Sequence, residues 1–563
     1  FFPEKRPFFL EGLDLFKQPL QVDMGGPYGG QTYQIFYSRR IGRGTPSLSL
    51  DADQTLVYQP PSVPVLSAVK LSGTLAGASL GLLDALEPRV TAQILQPRGK
   101  VDDLRVVEAR NTAVLRLRSP PGDHAIGGVT ATAVDPLFTD GSGVLDAGHA
   151  HVGQADLTLY TQDRSFGFSG QLAGSLLTSH APETLRDGTT LGQTATGYAA
   201  SSRLYATKEN WFASIWTDEL SPRFNVNDLG YMPRANLFRT MGYVGIRDPH
   251  PGKLWQRGQA LLFAREVRNA GLDFHLERDV GLEGFFTSNS FWFFDLGGLW
   301  SDAFHDDREL ADGTPIERQA SWVNYGYIST DSRKPVQLQF SWTYGRSFPR
   351  FERLNQLEWY LVFRPLPQLD GSFDLAYKEN AGTIRQIRTA APVPGQGDPS
   401  ATFTRTGATG QVRRQYLLAP QQARSVSGTL RATYSFTPFL TLQAYAQVFT
   451  AGISYDDALY VEREAGRRTV TLGELRPAGD EYRPRDNVST NERQVGLNVN
   501  LILRWEWRTG STLYLVYAHQ SSNDITKDIP PGLNFRGELG AFNAPGITHG
   551  DTLLVKVDLL SAL

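Results

Sequence analysis

The feature that most constrains this chain is alternation with a period of two residues, sustained over stretches longer than a soluble strand. Residues 494–518 read QVGLNVNLILRWEWRTGSTLYLVYA. Every second residue from Val495 is apolar, through Leu497, Val499, Leu501, Leu503, Trp505 and Trp507. Between them stand Gly496, Asn498, Asn500, Ile502, Arg504, Glu506 and Arg508. Successive side chains of a strand point to opposite faces, so one face is apolar and ends in two tryptophans while the other carries amides and charges. The pattern recurs. In VQLQFSWTY (336–344), Val336, Leu338, Phe340, Trp342 and Tyr344 oppose Gln337, Gln339, Ser341 and Thr343. LTLQAYAQV (440–448) alternates with Thr441, Gln443, Tyr445 and Gln447, and SVSGTLRATY (425–434) with Ser427, Thr429, Arg431 and Thr433. AVLRLRS (113–119) sets Ala113, Leu115 and Leu117 against Arg116 and Arg118.

A soluble sandwich also alternates. Three further features favour a membrane-spanning barrel. The alternating runs reach about ten residues or more, which is the length that crosses a bilayer at a tilt. Aromatic residues gather towards run ends, at Trp342, Tyr344, Trp505, Trp507, Tyr514 and Tyr517, as in the girdles at a membrane interface. Connections alternate short and long: LAG (75–77), PPGD (120–123), QDR (162–164), KEN (208–210), DSRKP (331–335) and TG (509–510) are short, with long ones near 89–105, 135–148, 303–317, 389–410, 451–490 and 522–550 between them. The expected fold is therefore an all-β, closed antiparallel transmembrane barrel of about 22 strands, within a range of about 18 to 24. TYQIFYSRR (32–40) counts as its first strand, and both termini then fall on the short-turn side. The expected division is an N-terminal segment over 1–60 and the barrel over 61–563. The apolar face looks at lipid. The polar face, with Arg116, Arg118, Gln337, Gln339, Arg431, Gln443, Gln447, Asn498, Asn500, Arg504 and Glu506, lines a lumen.

Composition agrees by exclusion. A net charge of −3 over 563 residues is too balanced for a nucleic-acid partner. A mean hydropathy of −0.30 does not argue against a membrane, because a strand with one polar face averages to neutral. No run of about 20 apolar residues marks a spanning helix. Cysteine is absent, which removes disulfides, thiolate metal ligands and thiol nucleophiles. The opening FFPEKRP lacks an initiator Met and a signal peptide and reads as a processed or trimmed chain.

Charged motifs carry the functional expectations. EKRPFF and YSRRIGR combine basic residues with aromatics and proline, and DMGGPYGGQ (23–31) links them. Such a segment cannot form a core alone, whereas a wide barrel has a lumen to fill. Arg6, Arg39, Arg40 and Arg43 are thus candidate plug residues, with Arg39 and Arg40 paired to wall carboxylates; the alternative is a first strand with a cationic rim. FTDGSGVLDAGHAH (138–151) offers Asp140, Asp146, His149 and His151 to a metal, but the spacing does not fit an EF-hand, and a solvated turn is the preferred reading. HDDRELADG (305–313) is read the same way. The lumen arginines form either a cross-strand ion ladder or a charge filter for a solute. No G-x-S-x-G, H-E-x-x-H or phosphate loop is present. No enzyme activity, cofactor or metal is expected.

Several segments in chain order resemble the DUF5916 region of bacterial envelope proteins described as carbohydrate-binding-module-family-9-like. They are FFPEKRPFFLEG (1–12), FYSRRIGR (36–43), AVKLSGTLAGASLGLLDA (68–85), VVEARNTAVLRLR (106–118), FNVNDLGYMPR (224–234) and LTLQAYAQVF (440–449). The resemblance implies an outer-membrane barrel with no established activity. It also implies a preceding β-sandwich module outside these residues, so no sugar-binding role carries over to them. The expected function is a scaffold or anchor subunit of an envelope complex, or a gated and plugged pathway. The alternatives are an open channel for small solutes or glycans and, least favoured, an outer-membrane enzyme. The expected location is the bacterial outer membrane with periplasmic termini. Expected partners are outer-membrane lipid or lipopolysaccharide and other envelope proteins.

Overall fold

The computed structural model describes residues 4–559 except 5, 19, 21–32, 49, 51–53, 98, 138–147, 180–181, 350–351, 388–401, 407–411, 465–467, 479–490, 526–539 and 541–545. The described residues are mostly antiparallel β-structure, with a single four-residue α-helix, Pro7–Leu10, as a named helical element besides three short 3-10 turns. No helix among them is long and apolar enough to cross a membrane, a statement that does not bear on strands. The chain divides into two compact units, one holding Phe1–Val244 and Phe263–Arg278, the other Gly245–Leu262 and Asp279–Leu563.

In the first unit, eight strands pair antiparallel in chain order: Ser67–Leu75, Ala78–Glu87, Arg110–Arg118, Ala125–Pro136, His149–Tyr160, Phe166–Thr178, Thr194–Thr207 and Trp211–Leu220. Burial follows the two-residue period. Thr112, Val114 and Arg116 are buried, while Leu115 and Leu117, at the alternate positions, are exposed. Leu82, Val129, Leu157, Leu159 and Leu172 are exposed in the same way on neighbouring strands. The apolar face is therefore the open one, the reverse of a soluble sheet. The other face is covered by the N-terminal residues. Phe9, Phe16, Phe36 and Ile41 form one cluster with Leu83, Ala85, Val114, Val134, Ala150 and Leu177 of the strands. Lys70 donates to the carbonyls of Phe8, Phe9 and Glu11, placing a cation at the C-terminal end of the short helix. The connection after Glu87, expected as a loop, carries Val90–Leu95 and Val101–Val107, which join Thr55–Tyr58 in a small sheet over Val63, Val90, Ala92, Val106 and Val107.

In the second unit, ten strands pair antiparallel in chain order: Phe293–Ser301, Ala320–Ser329, Val336–Phe348, Arg353–Leu366, Leu369–Gln386, Val412–Thr437, Leu440–Tyr455, Glu492–Arg508, Ser511–Ile525 and Thr548–Asp558. Register carries the faces across strands. Leu503 stands opposite Leu442 and Leu515, and Trp505 opposite Leu440 and Leu513. Asn498 stands opposite Gln447 and Gln520, and Asn500 opposite Tyr445 and Ala518. Gln447 and Tyr445 stand in turn opposite Thr429 and Arg431. The connections over 303–319 and 459–478 do not hang free. Leu310, Ile316, Val461, Val470, Leu472 and Leu475 close a core with Ile384, Tyr416 and Leu418 from the ends of long strands.

Three expectations are corrected. Residues 33–40 are not a strand: Gln34 makes only an isolated bridge with Tyr231, and Ser38–Arg40 turns as a 3-10 helix. Tyr514 stands opposite Arg504 and so belongs to the polar face, whereas Tyr517 stands opposite Leu501 on the apolar one; an odd separation cannot place both in one girdle. Trp342 is not near a strand end but midway along Val336–Phe348, in contact with Phe340, and the Phe340 ring also meets Trp359. Tyr344, two residues on, packs beside Trp322. Trp505 and Trp507 do sit near a strand end, beside the short turn that precedes Ser511, with rings 6.1 Å apart.

The docked N-terminal residues depend on a few aromatic side chains. Phe16 is 2% exposed and packs 5.3 Å from the Phe36 ring. Phe16→Ala is expected to weaken docking by about 3–5 kcal/mol. Limited proteolysis should then cut within residues 6–18 much faster than in the parent, while the strands stay protected.

Candidate functional site

The polar face of the first unit, together with the N-terminal residues on it, is the most elaborated polar region among the described residues. Its hub is Arg6. The guanidinium donates to Glu4 Oε1 at 3.0 Å and Oε2 at 2.8 Å, to the Ile41 carbonyl at 2.8 Å and to the Ser38 carbonyl at 2.9 Å. It also lies 4.1 Å from the Phe9 ring centroid. The Ser38 hydroxyl donates to Glu4 at 2.7 Å. Two sequence-distant clusters, EKRPFF and YSRRIGR, are thus tied together by one charged pair whose carboxylate side chain is 3% exposed.

The sheet supplies the matching groups. Glu87 accepts from the Gly42 backbone N–H at 2.8 Å and from Arg110 Nε at 2.7 Å, and Arg110 Nη2 donates to the Arg40 carbonyl at 3.1 Å. Glu87 and Arg110 are almost fully buried, so each satisfies the other while both hold the turn at 40–42. Arg40 Nε donates to the Gly230 carbonyl at 3.0 Å rather than to a wall carboxylate, which corrects that expectation. Gln34 exchanges two backbone bonds of 2.7 Å with Tyr231 on one side of Gly230, and the Tyr37 N–H donates to the Leu229 carbonyl at 2.8 Å on the other. A Cβ at Gly230 would lie 2.2 Å from the Gln34 carbonyl oxygen, so only glycine lets the segments meet. Arg43 is held among Glu87, Asp228 and Arg110, and burial pushes its guanidinium down to about 10. Arg39 is exposed.

Arg116, expected on the lumen side, is 1% exposed. It reaches two strands across to Asp156 with both Nη atoms and donates to Thr130 at 3.0 Å on the way. Its guanidinium crosses Gly128, where a Cβ would come within 2.8 Å. A buried pair of this kind costs about 3–5 kcal/mol when one partner is removed. Arg118, at the strand end, is exposed. On the second unit, Gln337 donates to Ser329 at 2.9 Å, Gln447 accepts from Tyr445 at 2.8 Å, and Arg431 lies 5.4 Å from the Tyr445 ring centroid. Gln339 stands opposite Ser329 and Tyr360, and Gln443 opposite Thr433 and Ile502. Arg504 pairs with Glu506 at 2.7 Å within its own strand, so this is not the cross-strand ladder expected. Sequence reasoning missed Glu87, Asp156, Glu283 and Tyr325. The Tyr325 hydroxyl donates to Glu283 at 3.0 Å with its ring over Gly297.

The two acidic segments weighed above as metal sites, with a solvated turn preferred, are placed as follows. In 305–313 the carboxylates are engaged: Arg318 binds Asp306 at 2.9 Å and Glu309 at 2.8 Å, Arg385 binds Glu309 at 2.7 Å, and Tyr416 donates to Asp312 at 2.8 Å. Asp140 and Asp146 lie outside the described residues. His149 and His151 instead meet Asp135, at 2.7 and 2.8 Å.

The Glu4 hub gives a pH prediction. Burial alone would raise the Glu4 carboxyl, but hydrogen bonds from Arg6 and Ser38 outweigh it and hold the group at about 2, below its ordinary 4.5. A carboxyl depressed on folding stabilises the docked segment fully above its ordinary value and loses that contribution as pH falls towards the depressed one. Hydrogen-exchange protection over residues 6–18 and 33–42, taken relative to the intrinsic rate at each pH, should fall between about pH 4.5 and 2 in the parent, and Glu4→Gln should be poorly protected throughout with that step removed.

No curated protein matches the chain. The family model described as Domain of unknown function (DUF5916) matches residues 1–541, nearly the whole chain, and bears out the resemblance carried by the N-terminal clusters and the alternating strands; the chain belongs to the DUF5916 family.

Proposed function

We propose that this chain is a closed antiparallel β-barrel of the bacterial outer membrane whose lumen is partly filled by the N-terminal segment. It acts as a scaffold or a gated pathway rather than as an open pore. The observation that carries this is the inverted partition of the strands. Leu82, Leu115, Leu117, Val129 and Leu172 are exposed on the paired strands of the first unit, as are Leu501 and Trp505 on the second, while Thr112, Arg116, Thr130, Gln154 and Asp156 are buried. Exposed apolar area costs about 25 cal/mol per Å² in water. A bilayer removes that cost, and closure pairs every backbone group. The plug rests on the Glu4–Arg6 hub, the Glu87–Arg110 pair and the aromatic cluster that seat residues 6–18 and 33–42 on the polar face. Lipid or lipopolysaccharide and other envelope proteins are the partners this reading entails.

One observation favours a second reading, an open channel. On the polar face of the second unit, Tyr445, Asn498, Asn500 and Gln520 border a recess of about 330 Å³, and Arg431 and Gln443 are exposed there.

Planar-bilayer recording separates the two. The intact chain is expected to conduct little, and deletion of residues 1–48 to open a steady conductance without preventing insertion. If the intact chain already conducts as an open pore and the deletion changes nothing, the channel reading replaces the plugged one.

The membrane assignment has its own test. Leu501→Arg should cost about 2–4 kcal/mol in folding into lipid vesicles if that position lies near the bilayer midplane, and Asn500→Arg much less. Equal penalties would remove the assignment of faces to lipid and lumen.

A further inference from the structure

Asp135, His149 and His151 sit on the wrong face for polar residues. Val134 and Ala150, their chain neighbours, are buried in the cluster with the N-terminal aromatics. The three polar side chains therefore point to the open face, which they share with Val129, Leu157 and Leu159. His149 and His151 are two residues apart and so project side by side. Ala133 pairs with His151 and Val134 with Ala150, which brings Asp135 next to His149. His149 Nδ1 and His151 Nε2 converge on the same oxygen, Asp135 Oδ1, at 2.7 and 2.8 Å. The three ligand atoms all lie within 4.8 Å of one another, and the side chains are 39%, 35% and 48% exposed for Asp135, His149 and His151.

We propose that Asp135, His149 and His151 form a binding site for a divalent transition-metal ion, zinc being the best match. Two imidazoles and one carboxylate are a borderline donor set, which selects zinc and its neighbours over calcium and magnesium, whose ligands are oxygens. Bonds of about 2.0–2.2 Å put ligand atoms roughly 3.4 Å apart in a tetrahedron, which small side-chain rotations reach from the present spacing. The backbones need not move, because both strands are already paired. Three protein ligands leave a fourth position open, and partial exposure makes it available to water or to an anionic group. The ion would also clamp the ends of Ala125–Pro136 and His149–Tyr160 at the base of their connection.

The test is calorimetric titration of the full chain, purified in detergent and stripped of metal, with zinc at neutral pH. Cobalt(II) serves in parallel as a spectroscopic probe of coordination. One site is expected in the parent. It should be lost in the H149N/H151N double variant, weakened at least about tenfold by Asp135→Asn, and unchanged by His519→Asn. Cobalt in the parent should show the intense visible bands of a low-symmetry protein site, absent from the double variant. Circular dichroism checks that the variants keep their strands, as exposed side chains should allow. If the double variant binds zinc as the parent does, or parent-bound cobalt keeps the spectrum of the hydrated ion, the ion is adventitious and the proposal fails. Conductance does not enter this result, so the plugged-barrel reading stands or falls apart from it.

Discussion

Each strand of this protein has to satisfy two different surroundings at once, and the rest of the structure follows from that. Along most of its length the open face is aliphatic and aromatic, so there it provides no polar partner for anything laid across it. The other face carries Arg116, Asp156, Arg110, Glu87 and Gln171, so it provides hydrogen bonds that an apolar core could not. A segment with few periodic apolar positions but many arginines and aromatics can dock only on the second. Tyr33 illustrates the match, with its ring packed 5.2 Å from Phe224 and its hydroxyl accepting from Gln171 at 3.0 Å.

The same constraint explains why the N-terminal residues do not become another strand. A strand needs a neighbouring edge, and residues 33–42 lie across a face instead. Their backbone groups are satisfied one by one: the Ser38 and Ile41 carbonyls by Arg6, the Arg40 carbonyl by Arg110, the Gly42 N–H by Glu87, and Gln34 and Tyr37 by the 229–231 segment. Side chains here replace the ladder, which is why so many are charged and buried. Two of the segments that carry the family resemblance, FYSRRIGR and FNVNDLGYMPR, turn out to be the two sides of that contact.

The faces were legible in the sequence because a two-residue period is local. The polarity of Asn498 against Leu501 needs no knowledge of any other strand. What was not legible depends on register, which one sequence does not display. Arg116 was read as a wall arginine, but its partner Asp156 lies 40 positions along the chain. Tyr514 and Tyr517 were grouped by proximity and separated by parity. In the sequence His149 and His151 stand beside the acidic residues of the adjoining connection, whereas the carboxylate that meets them is Asp135, before it. The strand expected over 32–40 failed for a related reason. Its alternation is real, but Arg40 donates to the Gly230 carbonyl and Arg43 is buried beside Glu87 and Asp228, which ties this stretch to a face rather than to an edge.

The open face is also graded along its length. Beside short turns it is apolar, with Leu75, Leu117, Leu159, Trp211 and Trp505 exposed. Towards the long connections it carries paired polar groups instead. Asn111 donates to Asp84 at 3.1 Å, the Tyr198 hydroxyl to Glu219 at 2.6 Å, and the Tyr517 hydroxyl to Asp551 at 2.9 Å, with His519 at 2.9 Å from the same carboxylate. Asp135 with its histidines belongs to this row. Carboxylates are tolerated where water or headgroups begin and are expensive within hydrocarbon. Under the membrane proposal, the row marks one border of the apolar band, on the side of the long connections. A soluble sheet whose apolar face was buried by an unseen partner would have no reason to place these polar pairs at that end, whereas the proposed bilayer setting supplies one.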